Sequence, residues 1–116
     1  MIIIGLTGKI GSGKTTTSKI IKELGYEVFD CDECSRNLIN SKKVISQIQT
    51  EFKESKDIFI NHSEINRNLF GNYLFSNPDE LLKLEKILHP LIKKKEKEFI
   101  LENSLKNHDI VFLDIP

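Results

Sequence analysis

Gly8-Lys9-Ile10-Gly11-Ser12-Gly13-Lys14-Thr15 spells G-x-x-x-x-G-K-S/T directly behind the apolar run Met1 to Leu6. Residue types at this spacing hold a polyphosphate, provided a strand precedes the loop and a helix follows it. Glycines at Gly8, Gly11 and Gly13 can take positive φ and let successive N–H groups converge on an anion. Ser12 lies inside the same cradle. A helix beginning near Lys14 adds unpaired amide hydrogens and the positive end of its dipole. Lys14 brings a full charge to the β and γ phosphates, and Thr16 offers a further hydroxyl. The Thr15 hydroxyl is placed to ligate Mg²⁺, a hard cation that prefers oxygen donors. Thr15, Thr16 and Thr17 are poor helix formers in a first turn, as expected of a segment selected for its ligand. The competing account is a Gly-rich strand-to-helix turn that binds nothing.

The elements that must position these groups follow a strand and helix pattern at both ends of the chain. Ile2, Ile3 and Ile4 form a β-branched run suited to a parallel strand buried on both faces. Lys14 to Leu24 reads as a helix with Ile20, Ile21 and Leu24 inward and Gly25 as its left-handed terminator. Glu27 to Asp30 is a short second strand, and the crossover to it should be right-handed. From Asp32 to Asn107 the pattern is helical. Ser41 precedes Val44, Ile45, Ile48 and Phe52, one continuous helix face. Asn77-Pro78-Asp79-Glu80 combines an N-cap, Pro at the first helical position and a capping-box Glu, ahead of Leu81, Leu84 and Leu88. His89-Pro90 should break that helix and start another, ending around Asn103. Ile110 to Asp114 is a last apolar strand with a carboxylate at its carboxyl end, and it resembles a Walker B strand. Ligands of parallel sheets bind beyond the carboxyl ends of the strands, so Asp30, Asp32 and Asp114 should gather at the rim of the phosphate loop.

Composition narrows the classes. A chain of 116 residues with 39% apolar content supports one folding unit, and 17 basic against 17 acidic residues leave no global attraction to nucleic acid or membrane. No apolar run reaches the roughly 18 residues of a membrane span, and Met1 leads straight into a strand, so a cytoplasmic protein is expected. Cys31 and Cys34 form a C-x-x-C, but His62, His89 and His108 lack paired spacing, which favours two reduced thiols over a zinc or redox site. Lys93-Lys94-Lys95 reads as a solvated helix face, because Glu96 and Glu98 interleave with Lys97.

Five separated stretches together resemble the dephospho-coenzyme A kinases. They are Ile4-Gly5-Leu6-Thr7-Gly8 through Thr15; Val28-Phe29-Asp30-Cys31-Asp32 with Arg36; Leu74-Phe75-Ser76-Asn77-Pro78; Ile87-Leu88-His89-Pro90-Leu91-Ile92; and Val111 to Pro116. The resemblance covers essentially the whole chain, in matching order and spacing. It implies an α/β fold with a P-loop NTPase-like parallel sheet of three strands, incomplete, and a helical acceptor-binding insert. The nucleotide core would comprise residues 1–31 and 108–116, and the acceptor domain residues 32–107. It implies transfer of the γ-phosphoryl of ATP, with Mg²⁺, to the 3′-hydroxyl of dephospho-coenzyme A. By resemblance Asp32 and Lys14 are catalytic, Arg36 and His89 bind the acceptor, and Thr15 and Asp114 serve the metal. Each has an ordinary counterpart. Asp32 suits the N-cap of the next helix, Arg36 a surface ion pair with Glu33 or Asp32, and His89 a helix junction.

Three departures from the family pattern stand out. Lys9 replaces a usual second Gly, which costs on the order of 1 kcal/mol if that position needs positive φ. Cys31 and Cys34 replace small or apolar residues. Further strands and an arginine-bearing lid are expected after Pro116, and their absence would leave Ile2 to Leu6 an apolar edge open to a missing C-terminal half or to self-association. Loss of lid arginines would remove charge stabilisation worth about 10³ to 10⁵ in rate in related systems, leaving a phosphate-binding fragment without turnover. Another small-molecule P-loop kinase is a further alternative.

Overall fold

The computed structural model describes residues 1–8, 13–52, 59–61 and 64–115, with backbone alone for 59–61. Two compact units emerge, Met1–Cys34 with Ile92–Pro116, and Ser35–Leu91.

The first unit is built on a three-stranded parallel sheet of β1 (Ile2–Leu6), β2 (Val28–Asp30) and β5 (Ile110–Asp114), in the order β1-β5-β2. β-Branched and aromatic residues fill all three strands, as a pleated, packed surface favours. β5 is central, and its Val111 and Leu113 are buried. The register pairs Leu6 with Asp114 and Asp30 with Asp114, so the three carboxyl ends finish level. Backbone bonds extend the ladder at both ends, from Ile2 N–H to the Asp109 carbonyl and from Ile115 N–H to the Leu6 carbonyl. Tyr26 packs edge-on against Phe112, and Phe29 tilts onto Phe99.

Helix α1 (Lys14–Glu23) ends in a Schellman motif: Gly25 at φ 94° donates to Lys22, and Tyr26 donates to Ile21. Its inward face differs from the sequence expectation. Ser18 is buried and Ile21 half-buried, while Ile20 and Leu24 are exposed. Ile2, Ile3 and Ile4 are exposed as well, 59%, 47% and 37%, because β1 pairs on one side only. Among the described residues the β-branched run is therefore an edge strand and is not buried on both faces.

The second unit is mainly helical. Its core joins Val44, Ile45, Ile48 and Phe52 with Phe70, Leu74, Leu84 and Leu88. Helix α3 (Lys42–Glu51) starts at Ser41, whose hydroxyl accepts from Val44 N–H. Helix α4 (Arg67–Ser76) starts at Asn66, whose side-chain oxygen accepts from Leu69 N–H. Such caps satisfy donors that a helix start otherwise leaves unpaired. Phe52 makes edge-on contacts with Phe70 and Tyr73. A small antiparallel pair, β3 (Phe59–Asn61) and β4 (Glu64–Ile65), interrupts the stretch expected to be wholly helical.

Helix α2 (Cys31–Ile39) and helix α5 (Pro78–Leu105) contribute residues to both units. α5 corrects a second expectation, since it runs through Pro90 without a break. Proline removes one i to i−4 hydrogen bond, but buried Leu84 and Leu88 before it and Phe99 and Asn103 after it hold the helix. Asn77 also differs from the expected capping role. Its side-chain amide donates back to the Tyr73 carbonyl of α4, while its own carbonyl accepts from Glu80 and Leu81. α5 closes on a second Schellman motif, with Asn107 at φ 62° donating to Ser104 and His108 to Asn103.

Candidate phosphate-binding site

The site begins where β1 hands over to α1. Gly13 caps α1 in the left-handed conformation, φ 86° and ψ 5°, a region that costs an L side chain about 1–2 kcal/mol. No side chain caps this helix start, and no acidic residue sits in its first turn. Its leading N–H groups and positive dipole end therefore carry no built-in counter-charge. Thr17 closes the turn, its N–H and its hydroxyl both donating to the Gly13 carbonyl at 2.9 and 3.0 Å. Gly8, Thr15 and Thr16 are exposed here. Gly11, Ser12 and the unusual Lys9 lie outside the described residues.

Across from that start stands the end of β5. Lys14 Nζ lies 2.7 Å from Asp114 Oδ1 and donates to the Ile115 carbonyl at 3.3 Å. Both side chains are largely covered, 16% and 10% exposed, so this is a shielded pair. The hydrogen bond that Lys14 donates to Asp114 holds its ammonium above its ordinary pKa; partial burial opposes it, and the charges of Asp114, Asp32 and Asp30 reinforce it. One carboxylate, Asp114, thus contacts the ammonium, and two more act on it through their charge alone. The level strand ends gather them, as the parallel-sheet rule predicts.

Asp32 lies inside the first turn of α2 and is not its N-cap. The capping group is Asp30, whose Oδ1 accepts from Glu33 N–H at 3.0 Å. The alternative reading of Asp32 as a cap is thereby removed, and its exposed carboxylate is left without a capping duty. Cys31 and Cys34 are unbridged and half-buried. Burial pushes the Cys31 thiol up, aided by Asp32, Cys34, Glu96 and Asp114, and burial raises Cys34 as well, against the pull of Lys95.

Arg36 and His89 belong to the second unit. Arg36 is exposed at the rim of a hollow on that unit, and no ion pair joins it to Glu33 or Asp32 among the described residues. His89 is exposed on α5, beside Pro90, and lies inside a continuous helix, not at a junction. Among the described residues no cluster of three or more His, Cys, Asp or Glu is arranged to hold a metal by itself. The side-chain oxygens of Thr15 and Asp114 are of the type that a hard cation prefers.

A family model described as dephospho-CoA kinase matches residues 2–116. The chain belongs to the dephospho-CoA kinase family. Curated family members include one from Bartonella quintana, 39% identical over 116 residues, covering 100% of this chain and 57% of the relative. Another, from Helicobacter pylori strain J99, is 40% identical over 117 residues, covering 97% of this chain and 55% of the relative. The chain thus spans little more than half the length of these dephospho-CoA kinases. A crystal structure from Thermus thermophilus matches 99% of this chain and 56% of its own with 31% identity and a TM-score of 0.72. Dephospho-CoA kinase from Campylobacter jejuni shares the fold, at a TM-score of 0.76 and 21% identity over 99% of this chain and 57% of its own. The α/β P-loop fold and the family expected from the motif series both hold.

Two features escaped the sequence. The shielded Lys14–Asp114 pair had a signal, a loop lysine and a strand-end aspartate, but no spacing rule joins residues a hundred positions apart. Arg67, which shares a hollow with Arg36, had no motif to flag it.

Proposed function

We propose that this chain carries out ATP-dependent phosphorylation of the 3′-hydroxyl of dephospho-coenzyme A, the last step of coenzyme A synthesis. The observation that carries this reading is the Lys14–Asp114 pair, set at an uncapped helix start with Asp32 and Asp30 close enough to act on the same ammonium. Lys14 and the amides following Gly13 bind the β and γ phosphates, with Gly8, Gly11, Ser12 and Thr16 completing the cradle. Asp32 orients the acceptor hydroxyl and takes its proton late, as the oxygen bonds to phosphorus and the bond to the ADP oxygen breaks. A loose transition state needs little early deprotonation, so an ordinary carboxylate suffices. Thr15 and Asp114 would hold Mg²⁺, which supplies positive charge to the phosphates when bound. Arg36 and His89 serve the acceptor from the helical unit, whose proposed role is acceptor binding. The proposed setting is the cytoplasm, where two unbridged thiols stay reduced. No described helix is long and apolar enough to cross a membrane.

The test is ADP release that depends on dephospho-coenzyme A, run beside calorimetry with ATP and Mg²⁺. Lys14→Ala should weaken ATP about ten- to a hundredfold, the scale of a charge-assisted hydrogen bond. Unchanged affinity would remove the phosphate-loop reading. Nucleotide binding without acceptor-dependent turnover would leave the chain a phosphate-binding unit only.

A further inference from the structure

The C-x-x-C of Cys31 and Cys34 is a motif that the proposed reaction leaves unused. Folding puts it at a strand-to-helix junction, where β2 ends at Asp30, Cys31 opens α2 and Cys34 follows one turn later. Both cysteines belong to the sheet unit, both are half-buried, and neither is bridged. The two thiols are near enough for the charge of one to act on the other.

Residues three apart in a helix share a face, with Cβ atoms about 5–6 Å apart. A disulfide needs its Cβ atoms about 3.5–4.5 Å apart, while its Cα range of about 4.4–6.8 Å already suits one helical turn. Closure therefore tightens the first turn of α2 by about 1–2 Å. The residues inside that turn are Asp32 and Glu33, and Glu33 N–H is held to Asp30 Oδ1 at 3.0 Å. The tightening thus reaches the helix cap and Asp32 alike.

We propose that Cys31 and Cys34 form one oxidisable pair, closed to a disulfide by a small-molecule disulfide of the glutathione class, and that closure re-aims Asp32. One cysteine, as thiolate, attacks the small disulfide, forms a mixed disulfide and expels a small thiolate. The second, as thiolate, attacks the protein sulfur of that mixed disulfide and expels the other small thiolate. Two protein thiols thereby give up two electrons and two protons, and the small disulfide is reduced to two thiols. A strained bond of this kind is readily reduced, so reducing surroundings reopen it. Burial, with Asp32, Glu96 and Asp114 acting on Cys31, keeps the thiols protonated, so the pair rests reduced and closes slowly. The effect on turnover rests on the reading of Asp32 as the carboxylate that orients the acceptor; closure of the pair does not.

Mass spectrometry of the full chain equilibrated in glutathione buffers tests the pair. With about equal reduced and oxidised glutathione the chain should lose the mass of two hydrogens, and a roughly hundredfold excess of the reduced form should restore it. Cys31→Ser and Cys34→Ser should each stop at the mixed disulfide. On closure the amide NMR signals of Asp32 and Glu33 should shift while those of Val44 to Ile48 hold still. Acceptor-dependent ADP release should fall about tenfold or more, return with dithiothreitol, and ignore the oxidant when both cysteines are serine. Absence of the intramolecular bond at every buffer ratio would overturn the pair while leaving the family function intact. A bond that leaves the Asp32 and Glu33 signals in place, or turnover equal in both states, would overturn the re-aiming. A bond with the expected shifts in a chain that shows no turnover in either state supports the pair and counts against the functional reading instead.

Discussion

The sheet unit and the helical unit divide the work unequally. Of the ten buried apolar residues among those described, eight sit in the helical unit and only Val111 and Leu113 in the sheet unit. The sheet unit instead concentrates charge, with Lys14, Asp30, Asp32 and Asp114 converging at level strand ends while Ile2, Ile3 and Ile4 face outward. One unit has a packed core and few motifs, whereas the other has motif chemistry on a thin core. Chemical legibility and packing density therefore lie in different parts of one chain. A residue's conspicuousness in the sequence says little about how much stability depends on it.

Ile48→Ala should break this contrast most sharply. Ile48 is fully buried, and its truncation should cost about 2–5 kcal/mol in urea unfolding, whereas Ile3→Ala on the exposed edge should cost under about 1 kcal/mol. Equal losses would erase the difference between the units. Lys14→Ala comes next, with its ten- to hundredfold loss of ATP affinity and a small change in unfolding midpoint, which separates binding from stability. Asn66→Ala removes the side chain that caps α4 and should lower stability by about 1 kcal/mol, measured the same way. Asn107→Gly should raise it by about half a kcal/mol or less, because glycine occupies positive φ more readily than asparagine.

The smallest effect concerns the thiols. Cys31 and Cys34 both titrate above the ordinary range, so their reactive thiolate is scarce near neutrality, and iodoacetamide should label them more slowly than an unstructured cysteine peptide at pH 7.5. A raised thiol pKa leaves stability intact below the unfolded value near 8.5 and lowers it as pH climbs through the folded value, since only the unfolded chain ionises freely between them. Cys31→Ala should flatten that alkaline decline in a pH series of thermal melts.

The sheet, the helix after the phosphate loop and the Ser41 cap were legible because each rests on local chemistry: a β-branched run, a glycine pattern, a hydroxyl three residues before an N–H. Gly25 as terminator was legible for the same reason. Ile20 and Leu24 were not, since amphipathic spacing names a face without saying how much protein exists to cover it. Pro90 misled because proline's local cost is fixed, whereas its neighbours' packing on either side lies in tertiary structure. The β3 and β4 pair is too short for periodicity to detect. At the site, motif and resemblance singled out Lys14, Asp32 and Asp114, whereas the capping duty offered as the ordinary alternative for Asp32 belongs to Asp30. Arg67 stayed invisible, because only folding places it beside Arg36.

The bond between Lys14 and Asp114 gives the resting site a selectivity of its own. An incoming bare anion such as sulfate competes with Asp114 for the ammonium, and success strands a carboxylate among Asp30 and Asp32. A solute that brings a cation with it offers both partners a replacement at once. If the loop holds phosphates as proposed, it should thus respond feebly to inorganic oxyanions and firmly to magnesium-complexed nucleotide, a bias set by a single strand-end carboxylate.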